Sequence, residues 1–442
     1  MLEAVIFALV TLAAFGLAYV QFNAIRQKIN LGKDEDITGD SVARWKNVLL
    51  VAFGQKKMFK RWLPAIFHLF IYVAFLFTQI ELIEILIDGF TGQHRFFADK
   101  IGIFYPLMIN IIEVLSVLAF VGTIIFLWRR NVLKVPRFWT REMTSWPRLD
   151  GNLILIGELL LITGIMSMNG ADLLLQEIDP AHYPDTGPLF ISSVTSSLFF
   201  EGLSESTLVV IERAGWWLHI LVVYAFLNYL PHSKHLHIFL SFPNTYFARL
   251  KPRGKMLNMP EVMNEVRSML GLTSESEVEM SEELPEFGSK DVFDLSWKNL
   301  MDAYSCTECG RCTAVCPAHI TGKKLSPRKI LMDIRDRADE VAKKIGINGW
   351  NSSDHEGFDD GKSLFDYISR EEIRACTTCM ACVEACPVLI DPLEPILKLR
   401  RYEILTESSG PSDWMPMFTS LENNGVVWQV TESRTAWTND EN

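Results

Sequence analysis

The sequence predicts a mainly α-helical protein in which a five-helix transmembrane bundle is followed by a cytoplasmic helical domain built around a repeated cysteine motif. Three observations support this fold class. Five long apolar stretches occupy the first half, basic residues follow alternate stretches, and all eight cysteines fall in one motif that occurs twice. A hydrophobic content of 49% is high for a chain with 21% charged residues, and it favours a membrane half and a soluble half that divide near residue 245.

Each of the five apolar stretches is long enough to span a bilayer, for which about 20 residues are needed. They run roughly over 2–22, 62–87, 103–128, 152–170 and 207–230. Residues 188–203 are too short and polar to span, and we expect them to lie at the outer interface. The first stretch is not typical of a cleaved signal peptide, because its N-terminal end carries Glu3 and no Lys or Arg before the apolar run.

Basic residues mark the loops that we expect on the cytoplasmic side. They follow the first, third and fifth spans: Arg26, Lys28, Lys33, Arg44, Lys46, Lys56, Lys57, Lys60 and Arg61; Arg129, Arg130, Lys134, Arg137 and Arg141; Lys234, Arg249, Lys251, Arg253 and Lys255. The loop after the fourth span is acidic, with Asp172, Glu177, Asp179 and Asp185. By the positive-inside rule the N-terminus lies outside and the C-terminal half is cytoplasmic, as in a multi-pass protein of a bacterial or archaeal cytoplasmic (inner) membrane.

The net charge of −11 argues against nucleic acid as a partner. Acidic residues are concentrated after the bundle in a run that comprises Glu275, Glu277, Glu279, Glu282, Glu283 and Glu286. We interpret residues 246–295 as an acidic cytoplasmic linker with one short helix near 260–270. A docking role for the acidic run is the alternative.

The cysteine motif carries the strongest functional signal in the chain. Cys306, Cys309, Cys312 and Cys316, followed by Pro317, have the spacing Cys-x2-Cys-x2-Cys-x3-Cys-Pro, and Cys376, Cys379, Cys382 and Cys386, followed by Pro387, repeat it. This spacing is typical of ferredoxin domains that bind two [4Fe-4S] clusters. Structural zinc prefers paired Cys-x2-Cys knuckles, and disulfides are uncommon in the cytosol, so both are weaker alternatives.

In two-cluster ferredoxins the fourth cysteine of each motif binds the other cluster. We therefore expect Cys386 to join the first three cysteines of the first motif, and Cys316 to join the first three of the second. Three thiolates two residues apart wrap one cluster, while the fourth stands beyond a turn and begins a helix. The proline that follows suits the first turn of that helix.

Histidines in two predicted spans are candidate haem ligands. His68 lies in the second span and His219 in the fifth, with His232, His235 and His237 at its cytoplasmic end. His219 and His237 are 18 residues apart, which is five whole turns if the helix continues, so both would face one neighbour. A hydrogen-bonded packing role is the alternative, although ionisable groups in membrane spans are functional candidates. Two facing helices with inward histidines form the arrangement that holds a b-type haem (heme b).

The stretches "IFHLFIYVAFLFT" and "LHILVVYAFLNYLPHSKHLHIF" resemble spans two and five of the cytochrome b (gamma) subunit of respiratory nitrate reductase. The resemblance implies that His68 and His237 bind the haem nearer the cytoplasm and that His219 matches one ligand of an outer haem. The second outer ligand would fall at Thr78, which cannot replace an imidazole, so one haem is favoured over two. His235 competes with His237, because Pro231 can kink the helix and shift its register.

A quinone pocket is expected where the family has its outer haem. Gln79 stands three turns above His68 on the same face, so Gln79 and His219 would line this pocket. Glu81 is a further candidate, because quinone chemistry moves protons with electrons and needs a titratable group nearby. Other carboxylates lie in or near the spans: Glu84, Glu113, Glu158 and Glu212. Hydrogen bonding between helices is the alternative role for each of them.

The soluble half is expected to hold a dicluster 4Fe-4S ferredoxin-like domain at 296–407. An amphipathic helix follows the first motif, with apolar Ile330, Leu331, Ile334 and Val341 on one face. A loop at 346–363, rich in Gly, Asp and Ser, is interpreted as a surface insertion. A further helix is expected from about Pro395.

This half resembles the ferredoxin part of heterodisulfide-reductase-like iron–sulfur oxidoreductases, on "GKKLSPRKIL", "LRRYEIL" and "SLENNGVVWQVTESRTAW". In fused members of that family such a tail leads into a cysteine-rich domain, whereas here no cysteine follows Cys386. The resemblance implies that the catalytic head is a separate polypeptide. We expect residues 408–442 to form an extended tail, rich in Trp and Met, that docks on this partner.

Together these features predict a membrane-bound electron-transfer subunit that passes electrons between a cytoplasmic partner, two [4Fe-4S] clusters, haem b and the quinone pool. Quinone reduction is the expected reaction, with a cysteine-rich heterodisulfide-reductase-like subunit or a flavoprotein as the partner. One alternative is a non-catalytic membrane anchor and electron conduit. The other is a quinol-oxidising subunit that feeds a cytoplasmic reductase.

Overall fold

The computed structural model describes residues 2–37, 39–252, 254–256, 258–272, 287–350, 357–428 and 435–439. Helices dominate this part of the chain, and within it the only extended pairing is an isolated bridge between Lys33 and Ser296. The mainly α-helical fold class is therefore confirmed. The acidic run at 275–286 lies outside the described residues.

Five helical stretches are long and apolar enough to cross a membrane, which confirms the predicted number: Leu2–Ile29, Ser41–Thr91, Phe104–Asn131, Ser145–Ile178 and Glu205–His232. The bundle, residues 2–248, contains the helices α1 (Leu2–Ile29), α2 (Ser41–Asn47), α3 (Trp62–Thr91), α4 (Ala98–Ile101), α5 (Phe104–Asn131), α6 (Ser145–Ile178), α7 (Phe190–Thr195), α8 (Glu205–Tyr229) and α9 (His237–Tyr246). The apolar segment at 190–200 forms only a short helical stretch, in keeping with the prediction that it does not span.

Helices α6 and α8 cross closely because two glycines face each other. A Cβ atom on Gly215 would lie 2.7 Å from the carbonyl oxygen of Gly164, and one on Gly164 would lie 3.1 Å from that of Gly215. Small residues let helix backbones approach in this way in a bilayer, where packing replaces the hydrophobic effect as the driving force. The crossing presses His219 of α8 against α6.

The fifth long helix ends close to its predicted end and does not continue to His237. Helix α8 ends at Tyr229, two 3₁₀ turns follow at Leu230–His232 and Lys234–Leu236, and α9 begins at His237. Pro231 has no backbone N–H to donate, and its ring disfavours continuation of the helix. The expectation that His219 and His237 share one face of a continuous helix is therefore wrong. The alternative, a change of register at Pro231, describes this segment better.

The soluble half follows the bundle with mostly short helices. These are α10 (Pro260–Met269), α11 (Trp297–Tyr304), α12 (Arg311–Ala314), α13 (Pro317–Ile320), α14 (Pro327–Lys344), α15 (Arg370–Arg374), α16 (Ala381–Ala385), α17 (Leu393–Arg401) and α18 (Trp414–Asn424). The hydroxyl of Ser326 accepts a hydrogen bond from the N–H of Lys329 and caps α14. Ile330, Ile334 and Val341 on its apolar face are fully buried, as the amphipathic pattern predicts.

The bundle and the soluble half share a hydrophobic core. Ile25 and Ile29, in the last turns of α1, pack in the same buried cluster as Leu300 and Ile334 of the soluble half. The described part of the 346–363 loop also rests on α1, since Asn23 donates to the carbonyl of Gly349 at 2.6 Å. The loop lies on the surface, as predicted, and this contact anchors it to α1 where it is described.

The tail differs from its expected extended form, because residues 414–424 are the helix α18. The rings of Trp414 and Phe418 contact each other one turn apart, at 6.4 Å between centroids. Gly425 ends the helix with φ 68°, a left-handed conformation that glycine adopts without strain. The regular spacing of Trp, Phe and Leu before this glycine was the sequence signal for a helix.

Candidate redox sites

The two cysteine motifs fold into loops with the same backbone pattern. In the first loop Glu308 and Gly310 have positive φ angles of 52° and 69°, and in the second loop Thr378 and Met380 have 56° and 58°. The N–H of Glu308 and the N–H of Thr378 each lie 3.4 Å from the Sγ of the first cysteine in the same motif. Non-glycine residues in this conformation are uncommon and often mark functional loops. The repeat is therefore one of structure as well as of spacing.

The fourth cysteine of each motif lies with the other motif. Cys306 and Cys386 belong to one buried cluster with Leu331 and Ile390, and Cys386 is also within electrostatic range of Cys309 and Cys312. A second group lines a small cavity: Cys316, Cys376, Cys379 and Cys382. Among the described residues no three His, Cys, Asp or Glu side chains converge as ligands of a single metal ion. The thiols of the second group line a shared cavity, and those of the first group lie near one another in and beside the buried cluster.

The loop of the first motif lies against the end of the bundle. Arg311 donates toward the carbonyls of Lys57 and Met58, at 3.4 and 3.5 Å, in the connection before α3. Arg328 donates to the carbonyl of Arg137 at 2.7 Å and to that of Glu308 at 3.2 Å. Two connections of the bundle therefore hold this loop in place. The second motif is more open, since Cys379 is exposed.

Three of the predicted haem histidines gather at the same end of the bundle. The rings of His235 and His237 are 5.8 Å apart between centroids, and both imidazoles are within electrostatic range of His68. Nδ1 of His68 lies 3.1 Å from Oε1 of Gln55, and Nδ1 of His237 lies 3.0 Å from the carbonyl of Lys234. Both partners are acceptors, so Nδ1 is the donor in each ring and Nε2 is left without its proton. A histidine that ligates iron through Nε2 is oriented by this kind of bond.

His235 differs from His237 in its hydrogen bonding. Within the part of the chain that the structure describes, Nδ1 of His235 is buried without a hydrogen-bond partner, and its ring contacts Phe226 at 5.7 Å between centroids. Burial lowers the pKa of His235 to about 3, and the nearby imidazoles of His237 and His68 act in the same direction. Burial also lowers the pKa of His237. Both rings are therefore neutral at physiological pH, which is the form that binds iron, and the residues present fit a b-type haem.

The quinone candidates are arranged differently. Nδ1 of His219 lies 3.2 Å from the carbonyl of Leu161, and Gln79 donates to the carbonyl of Phe75 in its own helix at 2.9 Å. Glu81 is buried and lies 3.7 Å from Arg95. In the part of the chain that the structure describes, no hydrogen bond or ion pair joins any two of His219, Gln79 and Glu81. Gln79 and Glu81 are two residues apart on a helix, so they point to different sides.

A buried polar network at the far end of the bundle was missed by the sequence reasoning. Arg95 is 4% exposed and bonds to Asp172 at 3.1 Å and to Asn169 at 2.6 Å. His94 reaches the same carboxylate at 2.7 Å. Asp172, which is expected in an outer loop, lies instead within α6 and is fully buried. The sequence contained a signal for this network, namely an acidic residue at the edge of an apolar span.

Two further carboxylates near this network have structural partners. Glu84 accepts hydrogen bonds from the hydroxyl of Tyr105 and the N–H of Phe97, both at 2.8 Å. Glu113 accepts from the N–H groups of Ile191 and Ser192 at 3.1 and 3.2 Å. These contacts agree with the alternative role, in which intramembrane carboxylates join helices.

Comparison with known proteins identifies the soluble domain. Residues 305–390 match the family of 4Fe-4S dicluster domains. The chain is 27% identical over 463 residues to the probable iron–sulfur-binding oxidoreductase FadF of Bacillus subtilis, covering 98% of this chain and 60% of that protein. It is 26% identical to the EtfAB:quinone oxidoreductase of Syntrophomonas wolfei, covering 90% of this chain and 54% of that protein.

A shorter match links the soluble half to heterodisulfide reductases. One polypeptide of the ferredoxin:CoB-CoM heterodisulfide reductase of Methanosarcina mazei is 30% identical over 105 residues, covering 24% of this chain and 48% of that polypeptide. No solved structure matches the chain. This chain spans little more than half the length of the two longest-matching relatives. The predicted resemblance to heterodisulfide-reductase proteins is confirmed, while the resemblance to the nitrate reductase gamma subunit stays a prediction. The chain thus carries a 4Fe-4S dicluster ferredoxin domain behind five helices suited to a membrane.

Proposed function

We propose that this protein is a membrane-bound electron-transfer subunit that carries electrons between a redox partner and the quinone pool, in the direction of quinone reduction. The observation that carries the proposal is the contact between the first cysteine loop and the histidine group at one end of the bundle. Arg311 of that loop reaches the connection before α3, and Lys234, whose carbonyl faces His237, pairs with Glu308 of the same loop at 2.6 Å.

The cysteines divide into two ligand sets in this proposal. Cys306, Cys309, Cys312 and Cys386 hold one [4Fe-4S] cluster, and Cys376, Cys379, Cys382 and Cys316 hold the other. Support comes from the buried contact of Cys306 with Cys386 and from the cavity that Cys316 shares with the second motif. When bound, the clusters and a haem supply the one-electron chemistry that the side chains lack. The side chains orient these groups and keep water away from them.

His68 and His237 are the proposed ligands of a single haem b. Their Nδ1–H groups are held by Gln55 and by the carbonyl of Lys234, which fixes the ring orientation. His235 remains the alternative to His237, because its Nδ1 is buried and without a partner. His219 has the same kind of Nδ1 bond, to the carbonyl of Leu161, but it is the less suitable ligand because among the described residues it lies against α6 and not with His68, His235 and His237.

Quinone is proposed as the substrate on two grounds. One long-matching relative is named EtfAB:quinone oxidoreductase, and intramembrane polar groups are available in His219, Gln79 and Glu81. That name also supports an electron-transfer flavoprotein as the partner, whereas the short match to a heterodisulfide reductase supports a cysteine-rich partner. The basic loops support a cytoplasmic location for the ferredoxin domain and an outer location for the N-terminus.

Two alternative functions would use the same two clusters and haem. A non-catalytic anchor would carry electrons without binding quinone, and a quinol-oxidising subunit would run in the opposite direction. The name of the relative from Syntrophomonas wolfei favours quinone reduction over both.

The test is a reduced-minus-oxidised optical spectrum of the purified protein. Wild type should show the α-band of a b-type haem, and His68→Ala and His237→Ala should each lose it. His182→Ala is the matched control, because that side chain is 80% exposed and pairs with Asp179, three residues before it. A quinone analogue that shifts the haem band of the isolated chain would separate a quinone reductase from an anchor. A wild-type protein without an α-band would refute the haem assignment.

A further inference from the structure

A buried lysine joins the histidine loop of the bundle to the first cysteine loop. Lys234 follows α8 in the turn that leads to His237, and its side chain is 11% exposed. Its ammonium group bonds to the carboxylate of Glu308 at 2.6 Å and to the carbonyl of Pro147, at the start of α6, at 2.6 Å. Its backbone N–H donates to Asp150 at 3.1 Å. One residue therefore ties three segments together.

Glu308 forms the other half of this contact. It lies between Cys306 and Cys309, its side chain is 3% exposed, and its second oxygen pairs with Arg335 of α14 at 2.9 Å. Its N–H points at the Sγ of Cys306. The chain of contacts from Cys306 to His237 thus passes through two charged side chains and two backbone groups, all of them in the described part of the structure. A buried pair of this kind is sensitive to the loss of either partner.

The charges around the two cysteine sets differ. In the first set, Cys386 lies within electrostatic range of Lys57, and Cys309 lies within range of Arg137. Both cations belong to connections of the bundle. Near the second set the charged neighbours are Asp391, beside Cys382, and Arg400, whose guanidinium donates to the carbonyl of Cys376.

The second set also opens outward. Its cavity is rimmed by Pro317, Thr377 and Met380 as well as by the exposed Cys379. Helix α16 carries Cys382 of the second set and leads on to Cys386 of the first, and Lys57 and Lys60 of the bundle contact it at Val383 and Glu384. The loop of the first set has further contacts with the bundle through Arg311 and Glu308, whereas the second set contains the exposed Cys379.

We propose that the cysteine set of Cys306, Cys309, Cys312 and Cys386 is the membrane-proximal one, and that the Lys234–Glu308 pair positions it against the histidine loop and tunes its reduction potential. This inference rests on the proposed function, because it presupposes clusters and a haem. Lys234 and Glu308 are positioning residues, since neither contacts a reacting atom. The exposed set is then the one that meets the redox partner.

Removal of the positive charge and removal of the negative charge of the pair should shift the cluster's midpoint potential in opposite directions. This difference distinguishes an effect on the potential from a purely structural role. Adding an electron to a cluster is easier beside a positive charge and harder beside a negative one. Lys234→Met should therefore move the midpoint potential of one cluster to more negative values. Glu308→Gln, which keeps the shape of the side chain, should move the same potential to more positive values. The midpoint potential of the double variant should fall between those of the two single variants. Lys234→Arg keeps the positive charge and should keep the wild-type potential.

The experiment is an electron paramagnetic resonance titration of both clusters in the complete purified chain, with an optical titration of the haem in the same samples. Cys379→Ser assigns the signals, because it should alter only the cluster that the Lys234 and Glu308 variants leave unchanged. Lys324→Met is the matched control: Lys324 pairs with Glu371 on the surface, and both side chains are more than half exposed. This control should move neither potential.

Three results would overturn the inference. They are shifts of the same sign in Lys234→Met and Glu308→Gln, equal shifts of both clusters, and a shift confined to the cluster that Cys379→Ser alters. Failure of the proposed function would look different, because it would show as a missing haem α-band while both cluster signals remain. If Lys234→Met does not assemble, Glu308→Gln still gives the sign of the effect, and a Lys234→Arg variant with a changed potential would show that the positive charge alone does not set it.

Discussion

Replacing Arg328 by methionine removes a buried charge that joins the ferredoxin domain to the bundle. The Arg328 side chain is fully buried, and it pairs at 2.7 Å with Glu142, which is 7% exposed and lies in the connection between α5 and α6. The guanidinium also donates to the hydroxyl of Thr140 and to the carbonyls of Arg137 and Glu308. Methionine keeps much of the volume and makes none of these bonds.

The size of the effect follows from what is left behind. Glu142 would keep its hydrogen bonds from Ser326, at 2.6 Å, and from its own backbone N–H, but it would lose the cation with which it pairs in the described structure. Removing one partner of a buried pair costs about 3–5 kcal/mol. Since each 1.4 kcal/mol is a factor of ten, the opened form of this contact should rise by roughly a hundredfold to a few thousandfold.

Hydrogen exchange of the backbone amides at 136–143 measures this opening in the purified protein. Exchange should accelerate there in Arg328→Met, while the amides of α5 and α6 stay protected. Adding Glu142→Gln should recover part of the loss, because no unpaired charge is then buried. Lys324→Met, at an exposed pair, should cost about 0–1 kcal/mol. An effect of Arg328→Met below about 1 kcal/mol would show that this contact does not hold the domain.

Three further outcomes are expected. Cys386→Ser should disturb the electron paramagnetic resonance signals of both clusters, because this residue is the fourth cysteine of the second motif but lies with the cysteines of the first. Cys379→Ser should alter one signal. A Cys386 variant that alters only the second set would contradict the exchange of ligands. The pKa of Glu142 is raised by burial, but the hydrogen bond from Ser326 and the charge of Arg328 outweigh this and hold it below 4.5. Its stabilising contribution is therefore present above pH 4.5 and lost as the pH falls through the lowered value, so Glu142→Gln should flatten the loss of thermal stability in acid. Gly215→Ala should cost about 1–3 kcal/mol of stability in detergent, because its Cβ would meet a backbone oxygen of α6 at 2.7 Å. Gly16→Ala is the control, because a Cβ there meets open space and should not lower the melting temperature. Equal melting temperatures of the two variants would refute the tight crossing.

Features that depend on local spacing could be predicted from the sequence. The two cysteine motifs, the five apolar spans and the amphipathic face of α14 each depend on residues that lie close together in the sequence. Pro231 also signalled the change of register between α8 and α9, since proline acts on its own turn. The assumption of one continuous helix from His219 to His237 failed because it extended a local period through this proline.

Contacts between distant segments were decided only by the tertiary structure. Lys234 and Glu308 are 74 positions apart, and Arg95 and Asp172 are 77 positions apart, so no helical period relates them. A charged residue in a loop is usually solvated, and nothing in its own neighbourhood shows which opposite charge folding will bring to it. The same holds for Asp172: its position at the edge of a span indicates a polar site, but it does not show that Arg95 is the partner.

The sequence by itself therefore determined the chemistry of the protein, and the tertiary structure decided its arrangement. Eight cysteines at a defined spacing specify two cluster-binding loops, because ligation depends on residue types a few positions apart. The first cysteine loop rests on the bundle because three connections of the bundle, at Lys57, Arg137 and Lys234, meet it or the adjoining Arg328. The second loop is the more open one, at Cys379. That meeting is a matter of packing between segments far apart in the chain, and packing is settled only when the whole chain has folded.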